Sequence, residues 1–211
     1  MKGKGLFITF EGSEGCGKST QARMLYAYLR RTGHRALFLR EPGGTRISEK
    51  IRALLLDKKN SAMSAECELM LYMAARAQVI AEVIKPALSK GTIVLCDRFL
   101  DSTLAYQGFG LGIDMKMIRA VGALVTQGAT PDLTILLDTP LKKGLAHRAS
   151  CKDRIEQRAL AYHARVRRGY FALAAREPAR IKVVKVAADR LKTQESIRRI
   201  VHGLCRHQRP G

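Results

Sequence analysis

The sequence predicts a doubly wound α/β fold, in which a parallel sheet is covered by helices on both faces. Five short apolar runs rich in β-branched residues alternate with longer segments whose apolar residues recur at helical spacing. None of the five runs alternates cleanly between polar and apolar residues, which is typical of parallel strands buried on both faces. The predicted strands are residues 6–10, 36–39, 92–96, 133–137 and 181–186.

Helical segments are predicted between these strands. The first follows Lys18 and places Ala22, Leu25 and Leu29 on one face. The remaining helices are predicted over residues 47–56, 65–88, 114–126, 154–175 and 193–205. Ligands of such folds bind beyond the carboxyl ends of the strands, so the chemistry is expected in the segments that follow strands.

Length and composition favour a reduced intracellular protein, which we expect to be cytoplasmic. The 211 residues suit one domain, residues 1–211, with a small lid. No apolar run reaches the roughly 18 residues of a membrane span, and the N-terminus lacks a signal-peptide pattern, so no membrane association is expected. The five cysteines are odd in number and form no C-x-x-C pair, which argues against a disulfide framework and structural zinc.

Basic side chains dominate the chain and are concentrated in its last third. The net charge is +20, and residues 139–211 alone hold 19 Lys and Arg against 5 Asp and Glu. Such a field attracts polyanions, whether nucleotides or nucleic acid. Because there is no Trp and only 6% of residues are aromatic, a stacking platform for single strands is not evident. We therefore do not expect nucleic acid as a partner.

Residues 12–19 match the pattern G-x-x-x-x-G-K-[ST] directly behind the first predicted strand. In that context, backbone N–H groups of the turn and of the following helix enclose a phosphate. Lys18 is expected to reach the β- and γ-phosphates, and the Ser19 hydroxyl to bind Mg²⁺. The sequence thus predicts binding of a nucleoside triphosphate. The residues assigned to ATP are Gly12, Ser13, Glu14, Gly15, Cys16, Gly17, Lys18, Ser19 and Thr20.

Further polar motifs follow the second and third predicted strands, at the edge where ligands bind. After the third strand, Asp97 is placed to hold Mg²⁺ or its water ligands. The adjacent Arg98 can bind a phosphate through two parallel hydrogen bonds. After the second strand, Glu41 and Pro42 open a Pro-Gly-Gly turn. Arg154 opens a later basic segment and is a candidate to stabilise a transferring phosphoryl group.

Several segments, in their order and spacing, match those of one kinase family. They are Phe10-Glu11-Gly12 with Gly17-Lys18-Ser19-Thr20, Arg40-Glu41-Pro42-Gly43-Gly44-Thr45, Asp97-Arg98, Ala105-Tyr106-Gln107-Gly108 and Asp153-Arg154-Ile155-Glu156. Through them the chain resembles the bacterial thymidylate kinases over nearly its whole length. The resemblance implies a three-layer P-loop nucleoside monophosphate kinase fold, with a five-stranded parallel sheet flanked by helices and a short basic lid at about 148–156. It also implies direct in-line transfer from ATP to dTMP, giving dTDP for dTTP synthesis, with Mg²⁺ as cofactor.

The resemblance also assigns roles on the substrate side of the site. Arg52 and Arg98 would bind the dTMP phosphate. Tyr72 would stack on thymine, and Arg76 would hydrogen-bond a thymine carbonyl. Tyr106 would lie against the sugar and disfavour a 2′-hydroxyl. The full set assigned to the substrate is Glu41, Pro42, Arg52, Tyr72, Arg76, Arg98, Thr103 at the base edge, Tyr106 and Gln107.

The family divides by the position of its catalytic arginine, which lies either in the phosphate loop or in the lid. Here the loop reads Glu14-Gly15 and has no arginine, so the resemblance implies the lid-arginine type, with Glu14 orienting the dTMP end. The implied catalytic residues are Lys18, Arg98, Arg154 and Glu14. Which of Arg148, Lys152 and Arg154 meets the phosphates stays open. Contacts to adenine are expected from the lid and from the loop around residues 187–191.

Other interpretations of the same residues stay open. One is another nucleoside monophosphate kinase or a deoxynucleoside kinase, although arginines at 52, 76 and 98 favour an acceptor that carries a phosphate. Another is a basic P-loop ATPase stimulated by nucleic acid, whose binding would weaken steeply with salt. For the kinase, the resemblance implies a homodimer built on helices of the first half of the chain.

Overall fold

Five parallel strands form one sheet in the computed structural model, which describes residues 5–146 and 153–206. The strands are β1 (Phe7–Glu11), β2 (Ala36–Arg40), β3 (Ile93–Asp97), β4 (Leu133–Asp138) and β5 (Ile181–Lys185). Their order across the sheet is β2-β3-β1-β4-β5. The chain therefore runs from the central β1 to the edge strand β2, returns to β3, and continues on the other side of β1 with β4 and β5. The predicted five-stranded parallel sheet is confirmed, and every strand end lies within one residue of its predicted position.

Helices cover both faces of this sheet. They are α1 (Lys18–Arg31), α2 (Arg46–Leu56), α3 (Ala65–Val79), α4 (Lys85–Ser89), α5 (Leu100–Thr103), α6 (Met115–Thr126), α7 (Leu141–Ala146), α8 (Leu160–Arg176) and α9 (Arg190–Arg206). Two π-helical segments, Ile80–Ile84 and Leu104–Gly110, continue α3 and α5. Within the described ranges, no helix combines the length and apolar character needed to cross a membrane.

The central strand β1 is buried on both faces, which explains why the predicted strands lack an alternating pattern. On one face, Ile8 and Phe10 pack with Leu25 of α1 in a cluster that also holds buried residues of α9. On the other face, the ring of Phe7 meets that of Phe99 edge-on, with centroids 4.9 Å apart. Apolar residues of α3, α6 and α8 join a further cluster on that side. The result is three layers, with helices on each side of the sheet.

The carboxyl ends of three adjacent strands lie together. Phe10 of β1 and Arg40 of β2 both stand opposite Asp97 of β3. Just beyond, the Glu41 N–H donates to the Asp97 carbonyl at 2.9 Å, and the Arg98 N–H donates to the Phe10 carbonyl at 2.9 Å. The segments that follow β1, β2 and β3 therefore leave the sheet at one edge.

The helix predicted over 154–175 is wrong at its start, because α8 begins at Leu160. Residues 154–157 form turns instead. There the Asp153 carboxylate accepts hydrogen bonds from the N–H groups of Ile155 at 2.9 Å and Glu156 at 2.8 Å. Such side-chain bonds to backbone compete with helical hydrogen bonding, which apolar spacing cannot reveal. Positions 148 and 152 of the predicted lid lie outside the described residues.

Candidate active site

The phosphate loop turns from β1 into α1 through glycines at positions with no room for a side chain. Gly12 has φ +139° and Gly15 has φ +70°. A Cβ at Gly12 would lie 2.3 Å from the Leu137 carbonyl oxygen, and one at Gly15 would lie 1.9 Å from that of Gly144. Because α1 begins at Lys18, its positive end faces the loop. The predicted strand–loop–helix context is therefore present.

Lys18 is buried against the loop that precedes it. Its Nζ donates to the Ser13 carbonyl at 2.9 Å and to the Cys16 sulfur at 3.7 Å. Only 7% of the residue is exposed. An ammonium withdrawn from water in this way interacts strongly with a phosphate placed beside it.

Two oxygen groups suited to Mg²⁺ lie side by side at the start of α1. The Ser19 hydroxyl donates a hydrogen bond to Asp97 Oδ2 at the end of β3. Hydroxyl and carboxylate oxygens are hard ligands, and Mg²⁺ at phosphate sites takes few protein ligands besides water and phosphate oxygens. The pair therefore fits this ion.

Arg98 pairs with Glu14 beside the phosphate loop. Its Nη2 donates to Glu14 at 2.7 Å and to the Tyr106 hydroxyl at 3.1 Å. That hydroxyl donates to Glu14 at 2.7 Å. Burial alone would raise the pKa of Glu14, but Arg98 and Lys18 outweigh burial and lower the pKa to about 2. Glu14 is thus an anion at neutral pH that holds Arg98 and Tyr106 in place.

The backbone of Arg98 is itself unusual, with φ +72°. A residue other than glycine in this left-handed region stores about 1–3 kcal/mol of strain, and such residues cluster at functional sites. The side chain is held by more than Glu14, because its Nη1 donates to Ser102 at 3.0 Å and to Tyr170 at 3.2 Å. These bonds fix the direction of the guanidinium.

A buried carboxylate, Glu11, lies behind Arg98. It accepts hydrogen bonds from the Phe99 N–H at 2.7 Å, the Ser102 hydroxyl at 2.6 Å and the Tyr170 hydroxyl at 2.9 Å. Burial is the main reason that the pKa of Glu11 rises to about 7. Glu11 therefore supports the strained turn that carries Arg98.

A second buried arginine, Arg76, lies on α3 with 2% of its surface exposed. Its Nε donates to Glu41 at 2.8 Å, and its Nη1 donates to Thr103 at 2.9 Å. The other oxygen of Glu41 is buried without a hydrogen-bond partner among the described residues. Burial raises the pKa of Glu41, and Arg76 partly counters that effect. The pair fixes the position of Arg76.

Arg52 and Tyr72 lie on α2 and α3. Arg52 donates to the Pro42 carbonyl at 3.0 Å, and burial lowers its pKa. Burial raises the pKa of the Tyr72 hydroxyl, so this side chain is a neutral phenol at any ordinary pH. Both side chains line one cavity, so a cation and a neutral aromatic ring are available to an acidic ligand with an aromatic part.

Both predicted halves of the site meet in one cavity of about 550 Å³. From the phosphate loop and its helix, the lining includes Glu14, Gly15, Gly17, Lys18, Ser19 and Thr20. From the substrate and metal predictions, it includes Glu41, Pro42, Arg52, Tyr72, Arg76, Asp97, Arg98, Thr103, Tyr106 and Gln107. Gly12, Ser13 and Cys16 belong to the loop without lining this cavity, and residues 187–191 do not line it either.

Arg154 is not part of this cavity wall. Its guanidinium donates to Glu68 at 2.5 Å and to the Leu55 carbonyl at 3.0 Å. Its sequence neighbours Asp153 and Ile155 do line the cavity. The structure does not bring Arg154 to the phosphate loop, so its role at the phosphates stays a prediction.

Some contributing residues were missed by the sequence analysis. They are Glu11, Glu68 and Tyr170, each of which bonds a cavity residue that is distant in sequence, and Arg158, which bonds Glu68. One signal was available, because Glu68 and Tyr170 stand on the apolar faces of their helices. A polar side chain on the apolar face of a helix is buried when that face packs into the core, and buried polar groups nearly always have hydrogen-bond partners.

Fold and cavity together define a class of protein. A phosphate loop, a hydroxyl–carboxylate pair suited to Mg²⁺ and a separate group of arginines face one space at the carboxyl edge of a parallel sheet. Cations at two places in one cavity suit two phosphorylated ligands. The chain is thus a P-loop protein of the nucleotide kinase class.

Comparison with known proteins narrows this class. The family model described as Thymidylate kinase matches residues 10–197. A thymidylate kinase of Trichlorobacter lovleyi is 49% identical over 200 residues, which cover 91% of this chain and 94% of the relative. One of Geobacter sulfurreducens is 52% identical over 188 residues, which cover 85% and 88%. The crystal structure of thymidylate kinase from Ehrlichia chaffeensis matches with a TM-score of 0.80 and 32% identity, covering 94% of this chain and 99% of that one. The chain belongs to the thymidylate kinase family.

Proposed function

We propose that this chain transfers the γ-phosphoryl group of ATP to dTMP, forming dTDP for dTTP synthesis. The observation that carries the proposal is one cavity with the phosphate loop in one part of its wall and the arginine-rich substrate side in the rest. Family membership across most of the chain supports it. A phosphate oxygen of dTMP is the nucleophile, so the protein supplies positioning and charge stabilisation.

On the acceptor side, Arg52 and Arg98 bind the dTMP phosphate, and Tyr72 stacks on thymine. Arg76 donates to a thymine carbonyl. Its salt bridge to Glu41 supports this role, because a buried and paired guanidinium is oriented before the ligand arrives.

Base edge and sugar are recognised by neighbouring groups on α5 and its π-helical continuation. Thr103 and Gln107 face the base edge. Tyr106 lies against the sugar, where a 2′-hydroxyl would compete for its space. Support comes from the hydrogen bonds that tie the Tyr106 hydroxyl to Glu14 and Arg98, since they leave the ring little freedom to move aside.

During transfer, negative charge spreads over the equatorial oxygens of the phosphoryl group. Lys18 and Arg98 stabilise that charge, with the loop N–H groups and the start of α1 holding the ATP phosphates. Both cations are shielded from water, which strengthens their interaction with the phosphates. Glu14 acts on Arg98 by keeping its guanidinium in place.

Mg²⁺ is the proposed metal cofactor, with Ser19 and Asp97 as the residues that hold it. The ion offsets phosphate charge when it is bound. The two ligands come from the start of α1 and the end of β3, which are fixed relative to each other by the core.

The proposal is tested by ADP release from Mg·ATP with dTMP, dUMP, dCMP, dGMP, dAMP, UMP or no acceptor. Strong turnover with dTMP, weaker turnover with dUMP and little with the others is expected. A preference for another acceptor would replace dTMP with that nucleotide. Hydrolysis that needs no acceptor and rises with added DNA or RNA would contradict the kinase proposal.

We also propose a cytoplasmic homodimer, with residues 1–211 forming one domain and a lid at about 148–156. Large apolar side chains exposed on α2 and α3 support self-association through helices of the first half of the chain. They are Ile47 (51% exposed), Leu54 (52%) and Met70 (46%). Light scattering on the eluting peak of a sizing column measures the mass, and a monomer at micromolar concentration would contradict the dimer.

A further inference from the structure

Glu68 is a buried carboxylate to which the mechanism above gives no role. It lies in the first turn of α3, one helical turn before Tyr72, and is 0% exposed. Taking a carboxylate fully out of water is costly unless charged and polar partners surround it. The residues that meet Glu68 therefore indicate what it holds.

Four hydrogen bonds converge on this carboxylate. Oε2 accepts from Arg154 at 2.5 Å and from Arg158 at 2.7 Å. Oε1 accepts from the Gln107 amide at 2.8 Å and from Arg158 at 3.3 Å. The donors belong to the segment before α8 and to the π-helical continuation of α5. One side chain of α3 thus joins three parts of the chain.

The segment that carries the two arginines is also a wall of the cavity, through Asp153, Ile155 and Glu156. Besides Glu68, Arg154 binds the carbonyl of Leu55 at the end of α2. Arg154 lies behind this wall, where its guanidinium bonds Glu68 and the Leu55 carbonyl, whereas the residues beside it line the cavity. The bonds that hold Arg154 therefore fix the position of the 153–156 segment relative to the cavity.

Gln107 is fixed by Glu68 in a different way. A carboxylate only accepts hydrogen bonds, so the NH₂ group of the Gln107 amide must face Glu68. The amide carbonyl is then turned away from Glu68, and Gln107 lines the cavity. A hydrogen-bond acceptor offered to the base favours a pyrimidine whose N3 carries a hydrogen, such as thymine, over cytosine, whose N3 is itself an acceptor.

We propose that Glu68 is a positioning residue of the nucleotide site, which holds the 153–156 wall through Arg154 and Arg158 and orients the Gln107 amide toward the base. This proposal replaces the role at the phosphates that the resemblance implied for Arg154 with a role through Glu68. The inference rests on the proposed function, because it takes the base of dTMP as the group that Gln107 meets.

The test compares E68Q with E66Q. Glu66 is an exposed residue in the same first turn of α3, so both variants lose one negative charge at the same helix end. In E68Q the new amide places a donor against the donors of two guanidinium groups. We expect the KM for dTMP to rise by about tenfold or more, the size of one lost bond to a charged group. The KM for ATP should change far less. The preference for dTMP over dCMP should fall, and E66Q should match the wild type.

Hydrogen exchange gives a readout that does not depend on turnover. The N–H groups of Ile155 and Glu156 are bonded to Asp153 within the wall. If Glu68 holds this segment, E68Q should speed their exchange by about tenfold or more. E66Q should leave it unchanged.

A double-mutant cycle tests the role of Arg154. If Arg154 acts through Glu68, E68Q and R154K share one effect, and the double variant is no worse for dTMP than the poorer single variant. If Arg154 acts at the phosphates, R154K lowers kcat, and the losses from the two substitutions add. That outcome would overturn this part of the inference.

The remaining outcomes separate the inference from the proposed function. Wild-type protein that does not phosphorylate dTMP contradicts the function, and the exchange rates then still decide whether Glu68 holds the wall. Active wild type with an E68Q variant that matches E66Q in KM, dCMP discrimination and exchange overturns the inference alone. Should E68Q fail to fold, E68D keeps the charge, shortens the reach and is judged by the same measurements.

Discussion

Replacing Tyr106 with phenylalanine removes one hydroxyl from the site and leaves its shape intact. That hydroxyl donates to Glu14 at 2.7 Å and accepts from Arg98 at 3.1 Å. The ring stays 4.9 Å from the Arg98 guanidinium and 6.2 Å from the rings of Tyr162 and Tyr170. The variant Y106F therefore isolates two hydrogen bonds to charged groups.

The structure sets the size of the effect. A net hydrogen bond to a charged group contributes about 1.5–3 kcal/mol. The loss in the free energy of unfolding is smaller than the sum of two such bonds, because Arg98 keeps Glu14, Ser102 and Tyr170 as acceptors. Glu14 is also 16% exposed, so water partly replaces the lost donor. We expect the free energy of unfolding to fall by about 2 kcal/mol, which lowers Tm by roughly 4–8 °C for a chain of this length.

Loss of these hydrogen bonds should also lower the rate of phosphoryl transfer, because Arg98 is proposed to contact the transferring group. A looser guanidinium should lower kcat/KM for dTMP by roughly 10–100-fold. Preference for deoxyribose over ribose should persist, since the ring that meets the sugar remains. ADP release and thermal unfolding followed by circular dichroism measure these effects.

Y28F is the matched control. The Tyr28 hydroxyl bonds His202 at 2.8 Å on the surface, so its removal should leave Tm and turnover unchanged. A Y106F protein with the Tm and kcat/KM of the wild type would show that the network around Glu14 contributes neither stability nor positioning. A loss of deoxyribose preference would instead assign that selectivity to the hydroxyl.

Three other predictions concern the phosphate loop and the strand that precedes it. K18A should keep the fold and lower kcat by roughly 10²–10³-fold, measured by ADP release with saturating dTMP. S19A should raise the Mg²⁺ concentration needed for half-maximal rate by roughly tenfold or more, because Asp97 would then be the remaining proposed ligand. For Glu11, the native carboxyl keeps its proton up to about pH 7 and the unfolded one releases it near 4.5. The native state binds more protons between these values, so stability should fall as pH rises through this window, by on the order of 3 kcal/mol, and E11Q should lack that fall.

Each of these three has a result that would contradict it. Unchanged turnover in K18A would remove Lys18 from the proposed mechanism. S19A with the Mg²⁺ dependence of the wild type would mean that its hydroxyl is not a ligand. Urea unfolding between pH 4.5 and 7 tests Glu11, and parallel curves for wild type and E11Q would mean that this carboxyl titrates in both states alike.

Local sequence patterns predicted the strands of the sheet and the phosphate-loop side of the site. Strand runs and the phosphate loop are specified by neighbouring residues, so periodicity and motif spacing identified them. The parallel sheet then places the segments after β1, β2 and β3 at one edge, which is why residues as distant as Lys18, Asp97 and Arg98 line one cavity.

Long-range polar pairs could not be predicted in the same way. Nothing near Glu68 in sequence indicates Arg154 as its partner, because the pairing depends on how α3 packs against the segment before α8. The predicted start of α8 was wrong for a different reason, which is local. Asp153 bonds the backbone N–H groups of the residues that follow it, where apolar spacing suggested a continuous helix. Buried ion pairs such as Arg154–Glu68 can be identified only in the assembled fold.

The contact between Gly15 and Gly144 restricts which substitutions this lineage can accept. A side chain at position 15 would collide with the Gly144 carbonyl, and one at position 144 would come within 2.6 Å of the Glu14 carbonyl. An arginine at position 15 would therefore require the segment after β4 to move away. Positions 15 and 144 are therefore expected to vary together, because each glycine lies against the backbone of the other segment.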